Sequence, residues 1–501
     1  METKVPDGQL LRFSSFVAET MGLDFPSSRW PDLRRGIVAA ASELGFKDVA
    51  ACVEWLMSAS LTRNQMEILA GNLTVGETYF FRENASFDIL GERILPAIIR
   101  ERQNGERRLR IWSAACCTGE EAYSIAILLH RTIPDLESWN VTLIATDINP
   151  RFLQKATVGV FGQWSFRGTP DWVRDSYFRP TPQGQFEVRP EIKRMVRFAT
   201  LNLVEDVYPS PINDTHAMDV IFCRNVLMYF TTPQAKKVVR NLYRAQADGG
   251  WLFVGPSELP HGSSSLYSTV NFRGAIFYQK DDTKLRPEVK GSAQFVPDQP
   301  MEDRIAQSKQ TAPDVQPTQS SRIRSDLVSA GVQDVSDPYK EAAKLHEDGR
   351  YAEAVEKLRK ALSSGPTKPM ELRLLAHSLA NQGKLSEALD CCEHWIAGDK
   401  FNSFSHYFRA VILQEQGDME QAIQSLRRAI YLDPDFVLAH FALSNIARGR
   451  GHVHEADMQI KITRQLLASY KPEDVLPESE GVTAGQLSEM ISSMMSERTM
   501  A

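Results

Sequence analysis

At 501 residues the chain is too long for one ordinary hydrophobic core, so two or three domains are expected. Lys and Arg number 57 against 63 Asp and Glu, a net charge of -6, which argues against general nucleic-acid binding. Six cysteines without a C-x-x-C pair argue against zinc and for reduced thiols in the cytoplasm, and no long uncharged apolar run suggests a signal peptide or a membrane span.

Residues 1–75 place apolar side chains at helical spacing, as in DLRRGIVAAASELGF and VAACVEWLMSAS, and predict a small helical domain. From 76 to 280 short apolar runs recur: RLRIWSAA, VTLIATD, MVRFATLNL, MDVIFCRN, GGWLFVG and FRGAIFYQ. Helical segments such as EEAYSIAILLHRTI and PQAKKVVRNLYRAQA lie between several of them, which predicts a mostly parallel sheet covered on both faces. The stretch 159–195, with Trp164, Trp172 and scattered Gly and Pro, breaks that rhythm and reads as an inserted subdomain. Residues 281–334 carry five prolines, from Pro287 to Pro317, among Gln, Ser and Asp, with Phe295 as the lone aromatic. Such a segment cannot bury enough apolar area to offset about 1–2 kcal/mol of ordering entropy per residue, and reads as a linker.

Residues 335–470 hold an internal repeat. Gly349, Gly383, Gly417 and Gly451 are 34 residues apart, and Ala354, Ala388, Ala422 and Ala456 keep the same step. Each unit reads as a helix, a turn on the glycine, and a second helix whose small alanine lets the pair approach closely. The period resembles that of the tetratricopeptide repeat, with units starting near 335, 369, 403 and 437. Such repeats are expected to form a concave peptide-binding or self-association surface. In the tail, 471–501, residues 484–497 are expected to form one amphipathic helix capping the array.

The chemistry gathers around IWSAACCTGEEAYSIA, residues 111–126, which reads as a buried strand, a turn on Gly119 and the start of a helix. That layout favours an anion. Yet the turn has neither G-x-x-x-x-G-K-[ST] nor G-x-G-x-x-G, and Glu120 and Glu121 follow its glycine. The bland reading, acids at a helix start, is weakened by the neighbouring strands. VTLIATD ends in Asp147, where an acid accepts both hydroxyls of a ribose. The next two strands are expected to end in Asn202-Leu203 and Arg224-Asn225, and all these ends converge on one crevice. A ligand with a ribose, an ammonium group and no phosphate fits: S-adenosylmethionine does, whereas NAD requires the missing glycines. No metal is expected.

TVGETYFFRENASF, WSAACCTGEEAYSIA, ATDINP, ATLNLV and IFCRNVLMYF, in that order, resemble the motifs of the CheR-type chemotaxis receptor methyltransferases, over about residues 10–280. The resemblance implies an α/β fold: a Rossmann-like S-adenosylmethionine methyltransferase sheet with an N-terminal helical domain, here joined to an all-α tetratricopeptide solenoid. It implies methyl transfer from S-adenosylmethionine to glutamate side chains of chemoreceptor proteins, giving methyl esters. Carried over by motif, Thr78 and Arg82 touch the cofactor, and Glu121, rather than Glu120, receives its ammonium group. Asp147 receives the ribose. Asn202, Leu203, Arg224 and Asn225 line the adenine and methyl-donor side, and Tyr229 stands near the transferred methyl.

Arg82 and Tyr229 are the expected catalytic residues; the plain alternatives are a surface pair with Glu77 or Glu83 for the first and core packing for the second. Arg29, Arg34 and Arg35 are read as a solvated helix face rather than a receptor contact, and the inserted region is implied to help bind the receptor. The sequence departs from the family at Gly76, where many members carry Asn, at Cys117, where Ser is common, and at Ala122, where Pro is common. The expected partners are a chemoreceptor and an unnamed protein bound by the repeats, with no nucleic acid, and with a membrane reached only through the receptor. Two other functions compete: a methyltransferase acting on a small molecule or RNA, and a scaffold that only senses the cofactor.

Overall fold

The computed structural model describes residues 5–255, 258–260, 266–272, 275–281, 338–364, 368–479 and 481–499. The expected linker, 281–334, lies outside the described residues except for Asp281. Four helices open the chain: α1 (Asp7–Met21), α2 (Trp30–Glu43), α3 (Val49–Met57) and α4 (Arg63–Leu73). Their starts follow local chemistry. Asp48 accepts from the Ala50 N–H ahead of α3, and Thr62 and Gln65 form a reciprocal capping box ahead of α4. Leu10, Phe13, Leu33, Ile37, Val53 and Leu69 fill the core they enclose.

Helices α5 (Asn84–Ile89) and α6 (Leu95–Arg102), joined by a π turn, lead into the sheet. Its strands are β1 (Arg108–Ala114), β2 (Asn140–Asp147), β6 (Val196–Thr200), β7 (Met218–Cys223), β8 (Gln246–Val254), β9 (Tyr267–Phe272) and β10 (Ala275–Lys280). The spatial order is β6-β2-β1-β7-β8-β10-β9. The first five run parallel, and β10 and β9 close one side as antiparallel strands. Every residue of β1 and β7 is buried, as expected for a sheet covered on both faces. The covering helices of this unit are α7 (Glu120–Thr132), α8 (Pro150–Val158), α9 (Asp171–Tyr177), α10 (Pro190–Lys193) and α11 (Thr232–Ala245).

Residues 159–195 build a small sheet of β3 (Val160–Phe161), β5 (Phe186–Val188) and β4 (Phe178–Pro180). Its core is aromatic. Phe80 lies 4.9 Å, ring centre to ring centre, from each of Phe161, Phe166 and Phe178, so the T-Y-F-F-R segment is fastened to this subdomain by edge and stacked ring contacts.

The repeat region forms four helix pairs: α12 (Pro338–Glu347) with α13 (Tyr351–Ser364), α14 (Pro369–Asn381) with α15 (Leu385–Gly398), α16 (Ser403–Gln416) with α17 (Met419–Leu432), and α18 (Val437–Gly449) with α19 (Val453–Leu467). The four periodic glycines take left-handed φ values of 75–85°, which end each first helix, and the four alanines are buried where the helices meet. The last helix, α20 (Ala484–Thr499), buries Leu487 and Ile491 on the repeat core.

The repeats dock on the sheet at the end where β1 begins. The Tyr351 hydroxyl donates to the Arg244 carbonyl, Ser386 and Gln416 meet Glu106, and the Asn140 amide donates to the Glu415 carbonyl. The centre of the contact is Glu415, 6% exposed. One of its oxygens receives Arg110 Nη1 at 2.8 Å and His216 Nε2 at 2.7 Å, and the other receives Arg108 Nη1 at 2.9 Å. Burial alone pushes this carboxyl up, but Arg110, His216 and Arg108 hold it well below the usual carboxylate range. Arg108 lies six residues, about 20 Å, from the carboxyl end of β1. The repeats therefore leave that end of the strand uncovered.

Inside the sheet unit, Asp219 (3% exposed) takes both Arg102 Nη atoms at 2.9 and 2.6 Å and the Arg110 N–H at 2.8 Å, tying α6 to β7 and β1. Asp219→Ala strands the guanidinium and the amide, and is expected to cost about 3 kcal/mol of stability, read as a lowered denaturation midpoint. A midpoint equal to that of the parent would refute this assignment.

Candidate functional site

The direction of winding reverses between β1 and β7: β2 and β6 lie on one side, β8 on the other. A crevice of about 1030 Å³ opens at the carboxyl ends of these strands. All nine residues carried over by motif line it: Thr78, Arg82, Glu121, Asp147, Asn202, Leu203, Arg224, Asn225 and Tyr229. β6 ends at Thr200 and β7 at Cys223, so the Asn202-Leu203 and Arg224-Asn225 pairs stand just past the strand ends instead of within them.

The turn after β1 explains why no phosphate cradle forms. Ala115 and Cys117 adopt left-handed φ values of 62° and 52°, and Gly119 follows at 95°. A Cβ on Gly119 would come within 2.8 Å of the Ala156 Cβ, so only glycine fits. The amide of Cys117, which such a turn could offer to a phosphate, donates instead to Asp147 Oδ2 at 2.9 Å. The Asn149 N–H takes Oδ1 at the same distance. Burial pushes the Asp147 carboxyl up to about 6.

The two acids after the glycine part company. Glu120 turns away and accepts from Thr118 Oγ1 and Ser165 Oγ. Glu121 faces the crevice, accepting from Ser113 Oγ at 2.8 Å and from Arg224 Nη1 at 3.4 Å; burial raises its pKa and Arg224 partly offsets that. Arg224, 6% exposed, also pairs with Glu83 at 2.8 Å and donates to the Arg82 carbonyl at 2.7 Å. Its two terminal nitrogens are thus spent on holding the wall together, while its buried Nε has no hydrogen-bond partner among the described residues. Asn202 likewise aims its amide at the Thr20 carbonyl and Glu205.

Arg82 differs. Its guanidinium donates to the Glu77 carbonyl at 2.7 Å, and it forms no salt bridge among the described residues: Glu83 pairs with Arg224, and Glu77 with Arg167. The surface pair offered as its plain alternative is therefore not formed. Tyr229 is half-buried beside the N-terminal helical core and also lines the crevice, with the Arg29 guanidinium 5.4 Å from its ring.

Arg29 is a correction to the solvated-face reading, because it lies in the crevice wall beside Phe25 and Tyr229. Arg34 and Arg35 instead pair locally, with Asp7 and Asp32. At Gly76, a Cβ would meet Phe152 Cζ at 2.7 Å, so the space for the family's Asn is filled by a ring of the crevice wall. Glu258 escaped the sequence reading. Its Oε2 accepts from the amides of Asn225 and Gly255, each at 2.6 Å, and Oε1 from that of Met228 at 3.4 Å, which fixes Asn225 at a left-handed φ of 58°. Among the described residues no group of three or more His, Cys, Asp or Glu is placed to hold a metal, and no helix is long and apolar enough to cross a membrane.

Residues 76–275 match the family described as CheR methyltransferase, SAM binding domain, and 405–436 match a tetratricopeptide repeat. Chemotaxis protein methyltransferase 2 of Vibrio cholerae is 32% identical over 279 residues, covering 56% of this chain and 95% of that protein. This chain belongs to the CheR methyltransferase family. Chemotaxis protein methyltransferase 1 of Pseudomonas aeruginosa is 30% identical over 275 residues, or 53% of this chain and 96% of the relative. The probable biofilm formation methyltransferase WspC of the same species is 28% identical over 451 residues, or 87% of this chain and 94% of its own length.

The protein is thus a methyltransferase that uses S-adenosylmethionine. The side chains present suit that cofactor. Two carboxylates, the buried Asp147 and the largely buried Glu121, face a crevice whose described lining has no lysine, an acceptor set matched to ribose hydroxyls and an ammonium group.

Two outcomes are expected. Only the ionised Asp147 accepts from two hydroxyls, so affinity for S-adenosylhomocysteine falls as pH drops through about 6, by up to about tenfold per unit. Because the folded-state pKa is raised, protonation of Asp147 does not itself unfold the unliganded protein. Calorimetry showing one constant affinity from pH 5 to 8 contradicts this. Second, Glu258→Ala frees the Asn225 amide and is expected to weaken the same ligand about tenfold, Glu258→Gln less, with unchanged circular dichroism.

Proposed function

We propose that this methyltransferase esterifies glutamate side chains of a chemoreceptor-type protein in the cytoplasm. The observation that carries the reading is Arg82: a guanidinium at the crevice, free of any salt bridge among the described residues, whereas the neighbouring Arg224 is matched by Glu83 and Glu121. An anionic acceptor is the natural complement, because a guanidinium fork takes a carboxylate in bidentate fashion. A glutamate carboxylate has an ordinary pKa near 4.3 and is ionised at neutral pH, so its oxygen is a competent nucleophile without a general base. Among the described residues no histidine or lysine lines the crevice, in keeping with that economy.

S-adenosylmethionine, when bound, supplies a methyl group on a cationic sulfur. The chain's part is to bind, orient and exclude water. Asp147 and Glu121 hold the nucleoside and ammonium ends, Thr78, Asn202, Leu203 and Asn225 shape the walls, and Arg224 keeps Glu121 in place. Arg82 aligns the acceptor, while Tyr229 offers an aromatic face to a cation. Orientation of this kind converts binding into several kcal/mol of barrier lowering. The names of the relatives support a receptor substrate, since two of those compared are chemotaxis protein methyltransferases.

Labelled S-adenosylmethionine incubated with the enzyme and receptor-rich membranes is expected to leave base-labile label on a membrane protein. Label confined to RNA or small molecules would overturn the receptor reading. Arg82→Ala is expected to lower kcat/KM for the acceptor by about 10–100-fold, more than it weakens the cofactor, and Arg82→Lys to recover part of the loss. Equal turnover by Arg82→Ala and the parent would remove Arg82 from its role.

A further inference from the structure

Residues 201–217 connect β6 to β7, and their two ends meet different parts of the molecule. Leu201, Asn202 and Leu203 line the crevice. At the other end, Pro211 and His216 share a small cavity with His377, Phe408 and Glu415, and Ile212 packs on the repeat core. His377 belongs to α14, and Phe408 and Glu415 to α16, the first helices of the second and third repeats. At these two repeats the first helices thus face the connecting loop of the sheet unit.

Three contacts then fasten this one connection. Arg110 donates to the carbonyls of Asp214 and His216 while holding Glu415 from the repeats. The Tyr208 hydroxyl donates to the Leu203 carbonyl at 2.7 Å, within the segment that lines the crevice. From α20, the Gln486 amide donates to Glu205 at 3.2 Å, and the other Glu205 oxygen accepts the Asn202 amide at 3.2 Å. Only one carboxylate separates the tail helix from a crevice residue.

We propose that the repeats bind residues 204–216 in cis, and that this docking is thermodynamically coupled to cofactor binding through Leu201–Leu203. The proposal rests on the cofactor occupying the crevice. By linkage, docking that favours the cofactor-ready arrangement must itself be strengthened when cofactor binds.

The test uses the full chain and S-adenosylhomocysteine, with hydrogen exchange and calorimetry as readouts. In the parent, ligand is expected to slow exchange at residues 411–417 of the repeats, which lie outside the crevice. Glu415→Gln is expected to speed exchange over 204–216 and to weaken the ligand fivefold or more. Gln486→Ala, a half-buried side chain remote from the buried Glu415 cluster, repeats the test without that cluster and is expected to weaken the ligand by a smaller factor. Ligand binding that leaves 411–417 unchanged in the parent, together with affinities within twofold for both variants, would overturn the coupling. Absence of ligand binding by the parent would instead overturn the crevice reading and the proposal with it.

Discussion

The guanidinium of Arg224 is the interaction around which the carboxyl edge of the sheet is organised. It leaves the end of β7, on one side of the reversal in winding, and meets Glu121 from the first turn after β1 on the other. It also binds Glu83 and the Arg82 carbonyl, far earlier in the chain. Three separated motifs are thereby held by one buried cation. An ion pair withdrawn from water gains little net stability, but removing one member leaves the others uncompensated. The arrangement is thus better suited to fixing positions than to adding stability. It leaves Arg82 without a salt bridge among the described residues while its backbone is pinned, which separates the residue proposed to meet a substrate from the one that builds the wall.

A second constraint acts at the opposite end of β1. The alternation Arg108-Leu109-Arg110-Ile111 puts two cations on one face of a strand whose every residue is buried. Such a strand is stable only if something supplies anions, and Glu415 does so from the repeats. The repeat array is consequently a structural part of the catalytic unit at that edge. Gly349 and Gly383 reinforce this, because a Cβ on either would press on Arg244 or Arg108, whereas Gly417 and Gly451 face open space.

Much of this was legible in the sequence, for physical reasons. A parallel sheet needs continuous apolar strands, and a 34-residue helical repeat needs its glycine and alanine in step, so both patterns survive in one chain. The acids of the crevice were legible because a turn without a phosphate cradle has few uses for them. What escaped shares one property: its meaning lies in long-range contacts. Glu258 sits in a loop 33 residues beyond Asn225, and Glu415 reads as an ordinary solvated acid of a repeat until Arg108, Arg110 and His216 surround it. The two buried arginines of β1 were a usable signal of a missing anion, though not of its source. Arg29 was hidden by its helix-start position, since only packing on Phe25 and Tyr229 turns it inward.

The adjacent cysteines of the crevice wall have a consequence of their own. Cys116 and Cys117 both line the crevice proposed to hold the methyl donor, and a thiolate is a far better nucleophile than a carboxylate. Burial, aided by the neighbouring negative Asp147, raises the Cys116 thiol well above its ordinary range and the Cys117 thiol to about 12. Both therefore stay protonated at neutral pH. The burial that makes Asp147 hard to ionise also disarms the two sulfurs, and so keeps the crevice wall free of a competing nucleophile.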